Sequence, residues 1–257
     1  MKASRIANIA IAVTLTMTIA SGGYWAYADN VGNVRQTLVH HQQRSQRKAR
    51  ARVQDQITIN PEAVQRKVME PMTGAKDVHR LGSIAIPSLN ISLPIYNQPY
   101  SEQALSKGAQ QMRAVNDQNI EVDTAMGNGN YVLVAHNYND GKSMLSPLQQ
   151  YINKDAPYLV NGKKQDNGWL NGTPIYLANG QGVYEYQVDN QRTLDEKDTS
   201  VRKNTEQAEL NLITCLFPSD QYRIDTHAKL VKQWNWSDVP NNVLHALSMH
   251  YNLKEGA

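Results

Sequence analysis

The chain holds one cysteine in 257 residues, so no disulfide can close within it and any thiol chemistry falls to Cys215. Seven histidines accompany that cysteine, yet no C-x-x-C or H-E-x-x-H spacing occurs, which removes the usual structural and catalytic zinc arrangements. No internal repeat or low-complexity tract is present, which sets repeat architectures aside. The basic stretch from residue 29 to 75 contains no aromatic residue, so it lacks the stacking platforms of a single-strand nucleic-acid binder. Charge itself is missing from residues 6 to 28, and that absence is the first positive signal.

Those 23 uncharged positions, Ile6 to Ala28, would span about 34 Å as a helix at 1.5 Å per residue. A hydrocarbon core is about 30 Å thick. Lys2 and Arg5 precede the stretch, as expected when an N-terminus stays in the cytoplasm. Two features point the other way. Ala26-Tyr27-Ala28 reads as a cleavage site, and Arg35, Arg44, Arg47, Lys48, Arg50 and Arg52 load positive charge on the outer side. The run is longer than a signal-peptide core, which favours an uncleaved anchor. The expected organisation is a cytoplasmic N-terminus (1–5), a transmembrane signal anchor (6–28), a basic stalk or linker (29–75), a folded domain (76–233) and a C-terminal extension (234–257). The domain then lies on the extracellular face of the cell membrane, tethered by a single pass.

The net charge of +3 conceals a division along the chain. Residues 1–80 carry 12 Lys/Arg against 5 Asp/Glu, whereas residues 81–257 carry 14 against 18. The basic part is the stalk, so attraction to anionic lipid or wall polymer is the expectation and nucleic-acid binding is not.

Beyond residue 80 short apolar runs alternate with turn-formers, the pattern of a small β-barrel or sandwich. The runs are Ser83–Ile86, Ile91–Ile95, Tyr131–His136, Pro174–Ala178, Val183–Asp189, Leu210–Cys215 and Tyr222–Val231. Asn179-Gly180-Gln181-Gly182 reads as a hairpin loop between two of them. Ser101–Lys107 and Ser146–Asn153 read as short helices with serine N-caps. Val239–Asn252 places Val243, Leu244, Leu247 and Tyr251 near helical spacing, which suggests a helix packed outside the barrel through Trp234 or Trp236.

Three chemically useful side chains stand at or near the ends of these runs: Cys215, His136 and Arg223. A thiolate can attack a carbonyl, an imidazole can move protons and a guanidinium can hold an oxyanion. A lone cysteine is also at home as a small buried hydrophobe, and a lone arginine as a surface ion pair. A second imidazole competes with His136. Arg223, Asp225 and His227 alternate along one strand and share a face, but adjacent positions on that face are about 7 Å apart, beyond a direct hydrogen bond.

Leu212-Ile213-Thr214-Cys215 resembles the T-L-x-T-C signature of sortases, the cysteine transpeptidases of Gram-positive cell surfaces. Val134-Ala135-His136-Asn137 is similar to the family's strand-end histidine, and Arg223 stands where class A members carry their arginine. The stretch from Leu81 to Pro87 through Leu93-Pro94-Ile95-Tyr96, and Met144-Leu145-Ser146-Pro147-Leu148, also resemble family segments. Asn211 departs from the usual Thr at the head of the signature, and the connection from Asp155 to Gly172 is longer than usual.

The resemblance implies a mostly β fold, an eight-stranded sortase-like barrel with short helices, preceded by the N-terminal transmembrane helix. It implies that Cys215 attacks the Thr–Gly carbonyl of an LPxTG-like sorting signal on a surface protein. The thioacyl group then passes to an amine acceptor of a lipid II-like peptidoglycan precursor. His136 would move protons, and Arg223 would hold the oxyanion or the substrate backbone. Ala135 would leave room for substrate, Thr214 would fix the strand end, and Val201, in the loop 193–209, would meet the Leu-Pro part of the signal. No cofactor and no metal are implied. Calcium-responsive relatives place carboxylates both upstream of the histidine strand and in the loop before the cysteine. The first stretch here reads Gly108-Ala109-Gln110-Gln111-Met112-Arg113, and Asp195, Glu196 and Asp198 in the loop would bind an ion only weakly without a second set of ligands, so calcium dependence is not expected. The N-terminal anchor, the short loop before the cysteine and the lack of an Asp-Pro-aromatic lid resemble class A. Two rivals remain: a cysteine peptidase or other wall transpeptidase, and a non-catalytic surface module in which Cys215 is core. An L,D-transpeptidase is disfavoured, since no S-H-G-C-like motif occurs.

Overall fold

The apolar runs become the staves of a closed barrel. The computed structural model describes residues 59–72, 77–219 and 221–255. The anchor expected at 6–28, its alternative cleavage site and most of the basic stalk lie outside the described residues. Among the described residues, no helix is long and apolar enough to cross a membrane.

Among the described residues twelve strands form: β1 (Arg80–Ile86), β2 (Ile91–Tyr96), β3 (Ala109–Met112), β4 (Ala114–Val115), β5 (Glu121–Val122), β6 (Asn130–Val134), β7 (Leu159–Val160), β8 (Lys163–Lys164), β9 (Pro174–Ala178), β10 (Val183–Asp195), β11 (Glu209–Cys215) and β12 (Tyr222–Trp234). Eight of them close in the order β1-β2-β3-β6-β11-β12-β10-β9, while β4-β5 and β7-β8 are separate hairpins. Closure leaves the barrel strands without a free edge. The expected eight-stranded, mostly β barrel is therefore present. Its interior is filled by Ile84, Ile86, Leu93, Leu133, Leu177, Tyr186, Leu210 and Leu212, all at most 1% exposed.

A second apolar cluster lies outside β1 and β9. Helix α1 (Pro61–Val68) contributes Val64 and Val68, four residues apart on one face, and helix α3 (Asn241–Ser248) contributes Val243, Leu244 and Leu247. Trp236 is buried among them, with Trp234 packed at the margin. The sequence placed 61–68 in the stalk. It is a packed helix instead, started by Asn60, whose side chain accepts from the Glu62 N–H. The signals for it stand in the sequence: an Asn60 cap, proline at the first helical position, and Val64 and Val68 four residues apart.

Four further expectations are corrected. The histidine strand ends at Val134, so His136 lies beyond it. Ser146–Asn153 is only a 3-10 turn over Ser146–Leu148, because Gln149 turns extended and its amide serves other segments. β10 and β12 run on to Asp195 and Trp234, pairing with each other along their length and bending at two register shifts. The C-terminal helix stops at Ser248, and Tyr251 instead accepts a hydrogen bond from Arg80 at 2.7 Å. Helix α2 (Glu102–Leu105) forms where expected, with the Ser101 hydroxyl accepting from the Ala104 N–H.

Candidate active site

Strand register brings the three sequence-selected side chains together. β11 and β12 pair antiparallel, with Cys215 opposite Arg223. β6 and β11 pair parallel, with Ile213 beside Val134, and the Ala135 N–H extends the ladder by donating to the Ile213 carbonyl at 3.2 Å. Two residues on, the same progression puts His136 alongside the end of β11. Cys215, half-buried, shares a groove of about 460 Å³ with His136 and Arg223. Val134, Ala135, Val201, Ile213 and Thr214 also line it.

The strand ends are held by side chains. Thr214 is buried, and its hydroxyl donates to the Ala135 carbonyl at 2.8 Å, tying the cysteine strand to the histidine strand. The Asn137 amide donates to the Cys215 carbonyl at 2.9 Å and to the Gln149 side-chain oxygen at 2.8 Å. Gln149 also accepts from the Phe217 N–H and donates to the Phe217 carbonyl. The backbone around the thiol is thus fixed from both sides by buried amides, which order a site at a cost only if left unpaired.

The imidazole has two neighbours. Nε2 of His136 lies 3.0 Å from a Glu102 carboxylate oxygen at the start of α2, and the ring meets that of Tyr138 with centroids 5.1 Å apart. Burial, followed by the Glu102 carboxylate, pushes the Tyr138 phenol up. Arg223 donates from Nη1 to the Tyr222 carbonyl at 3.0 Å, and its Nη2 lies 3.6 Å from Glu196. A nucleophile, a proton carrier and a fixed cation on one groove can perform acyl transfer through a tetrahedral oxyanion.

A family model for the sortase domain matches residues 84–231. The chain belongs to the sortase family. It is 32% identical over 140 residues to Sortase A of Listeria monocytogenes serovar 1/2a (strain ATCC BAA-679 / EGD-e), covering 54% of this chain and 51% of that one. It is 27% identical over 190 residues to Sortase A of Streptococcus agalactiae serotype III (strain NEM316), covering 72% and 66%. The crystal structure of the Listeria monocytogenes sortase A aligns at 30% identity with a TM-score of 0.47, covering 61% of this chain and 90% of that chain. This sortase therefore spans about half the length of the Listeria relative.

His227 does not reach the groove. Its Nδ1 lies 2.5 Å from Asp189 and its Nε2 3.5 Å from Glu209, and it pairs with Asn211, four residues before Cys215, roughly 13 Å along the strand. Asp225, fully buried, pairs with Arg192. Arg192 also donates to Asn211 at 3.1 Å, and Asn211 donates to Asn130 at 2.7 Å. Asn130 in turn holds the carbonyls of Val201 and Lys203 at 2.7 and 2.8 Å, so the departure at the head of the signature links the barrel to the groove wall.

Sequence reasoning missed Glu102, Tyr138, Asn137 and Gln149. Asn137 and Tyr138 follow the histidine directly, and that adjacency was the available signal. Glu102 is 34 positions away and nothing in its surroundings marked it. Among the described residues, no group of three His, Cys, Asp or Glu side chains is arranged to hold a metal ion.

Proposed function

We propose that this protein is a class A sortase transpeptidase that cleaves an LPxTG-like signal between Thr and Gly and joins the surface protein to a cell-wall precursor amine. The observation that carries the reading is the gathering of Cys215, His136 and Arg223 on one groove by the β6-β11-β12 register. The Cys215 thiolate adds to the threonine carbonyl carbon, and Arg223 donates to the resulting oxyanion. Collapse breaks the C–N bond, His136 gives its proton to the departing glycine amine, and a thioester remains. The acceptor amine then attacks that thioester, passes a proton to His136 and displaces the thiolate. Without an acceptor, water takes the amine's place and the enzyme acts as a peptidase.

Ala135 and Ile213 give the groove its apolar floor, and Val201 forms part of the wall that would meet the Leu-Pro portion of the signal. Thr214 supports the strand ends. Residues 76–233 are the catalytic domain in this reading. Residues 6–28 are the single-pass membrane anchor, which keeps the domain on the extracellular face beside lipid-linked acceptor.

The test is cleavage of an LPxTG peptide by membranes carrying the full chain, with and without an added amine. Wild type should release the glycine-bearing fragment and form the amine conjugate, while Cys215→Ala should do neither. Conjugate formation by Cys215→Ala would sink the thioacyl mechanism.

A further inference from the structure

The C-terminal tail does not leave the barrel after α3. From Met249 it returns to β2 and the 142–144 segment, where Asn252 makes five hydrogen bonds. Its backbone N–H donates to the Ser92 carbonyl at 3.0 Å and its side-chain oxygen accepts from the Ser92 N–H at 2.9 Å. On the other side its carbonyl accepts from the Met144 N–H at 2.8 Å. Its side-chain NH2 donates to the carbonyls of Met144 and Lys142, both at 2.9 Å. One residue therefore clamps β2 to the segment that follows the histidine.

The clamped segment is strained. Met144 has φ of +53° with its side chain fully buried, a left-handed conformation that a non-glycine residue holds at a cost of about 1–3 kcal/mol. Such a conformation persists only where its surroundings over-determine it. Asn252 supplies that constraint by binding both the N–H and the C=O of Met144. The next residue, Leu145, donates its N–H to the His136 carbonyl at 3.1 Å, and Asn137 bridges to Met144.

A second route runs through side chains. Lys254 lies 3.2 Å from Asp140 and 5.6 Å over the Tyr138 ring, within cation–π range. Tyr138 in turn packs against the His136 ring, tilted to it by 41°. Asp140 accepts from the N–H groups of Lys142 and Ser143, closing the loop on which the clamp acts.

We propose that residues 249–255 form a strap that positions His136, with Asn252 acting through the Met144–Leu145 backbone and Lys254 through the Tyr138 ring. The proposal rests on the reading of His136 as the proton-transferring group. Asn252 and Lys254 are positioning residues, since neither lines the groove that holds Cys215. Misplacing a reacting group by about 1 Å can lower a rate by as much as 100-fold, whereas an untouched groove keeps its affinity for peptide.

The experiment compares full-length wild type with Asn252→Ala, Lys254→Ala and Lys254→Arg, measuring kcat, KM and amide hydrogen exchange at Met144 and Leu145. Asn252→Ala should lower kcat by about tenfold or more, leave KM within about twofold, and speed exchange at both amides. Lys254→Ala should lower kcat by a few-fold, and Lys254→Arg, which keeps the cation over the ring, should restore it. The Lys254 pair also decides the matter if Asn252→Ala does not fold, because Lys254 is half-exposed. Unchanged kcat in both alanine variants, or KM rising as much as kcat falls, would overturn the strap. If wild type cleaves no sorting peptide, the function reading fails by itself. The strap is then judged by exchange alone, with unchanged exchange in Asn252→Ala counting against it.

Discussion

At the scale of single residues, the site divides into groups that react and groups that hold them. Glu102 belongs to the second kind. A carboxylate only accepts, so at 3.0 Å Nε2 of His136 is the donor in this contact, and in the proposed reading Nδ1 is the nitrogen left to exchange protons with substrate. Glu102 is largely exposed, and pairs of that kind are worth about 0.2–1 kcal/mol. Glu102→Ala should therefore lower kcat by only a few-fold, as steady-state kinetics on the sorting peptide would read. A loss as large as that of His136→Ala would mean the carboxylate takes part in the chemistry itself. His227→Ala should leave turnover near wild type, because its ring is held by Asp189 and Glu209 well away from the thiol. Cys215, His136 and Arg223 were legible because each stands at or near an apolar run whose end can be seen in the sequence. Asn137 and Gln149 were not, since a buried amide on a loop carries no periodicity and its partners come from distant segments.

Among the elements, strands with continuous apolar runs were legible and those built on polar residues were not. β3 reads Ala-Gln-Gln-Met, and nothing local distinguishes it from a loop. Tertiary structure makes it a strand: Gln110 is fully buried, and its amide donates to the Ala104 carbonyl at 2.6 Å and accepts from the Gln98 N–H. The loop before β11 shows the same dependence on distant partners. Its 3-10 turn Ser200–Arg202 is fastened by Arg202, which donates to the Arg113 carbonyl at 2.9 Å and to Glu121 at 2.6 Å. Arg113 also lies 3.0 Å from Asp123. Guanidinium groups thus neutralise Glu121 and Asp123 beside this turn, while Asp195, Glu196 and Asp198, which line the groove, are held by Lys164, Arg223 and the Ser200 N–H, so a divalent cation would have to displace these partners to bind. Turnover should be equal in chelator and in millimolar calcium. Arg202→Ala should raise KM several-fold, because it frees the turn that carries Val201 into the groove. Saturable activation of wild type by calcium would refute the first expectation, and an unchanged KM the second.

For the whole molecule, a buried polar chain couples stability to pH. Asp225, Arg192, Asn211 and Asn130 link β12, β10, β11 and β6 within the barrel wall and end on the loop carbonyls of Val201 and Lys203. Asp225 is fully buried, and its Oδ1 has no hydrogen-bond partner among the described residues. Burial pushes its carboxyl up to about 6, against the opposing pull of Arg192. Because that value lies above the 3.8 of a free carboxyl, the folded chain keeps a proton between about pH 4 and pH 6 that the unfolded chain has lost. The associated stability is fully present below the unfolded value and disappears as pH rises through about 6. Asp140 acts in the opposite sense. Burial pushes it up, but the Ser143 and Lys142 N–H groups, the Ser143 hydroxyl and Lys254 outweigh that and hold it well below the usual carboxylate range. Its contribution is present above the unfolded value and is lost as pH falls further. Together the two groups favour a stability maximum near pH 4, about the unfolded carboxyl value at which their opposing slopes cancel. Urea midpoints of the full chain at pH 4.5, 5.5 and 7 should fall in that order, and Asp225→Asn should flatten the decline by removing the group that titrates. The same decline in Asp225→Asn as in wild type would show that the slope arises elsewhere.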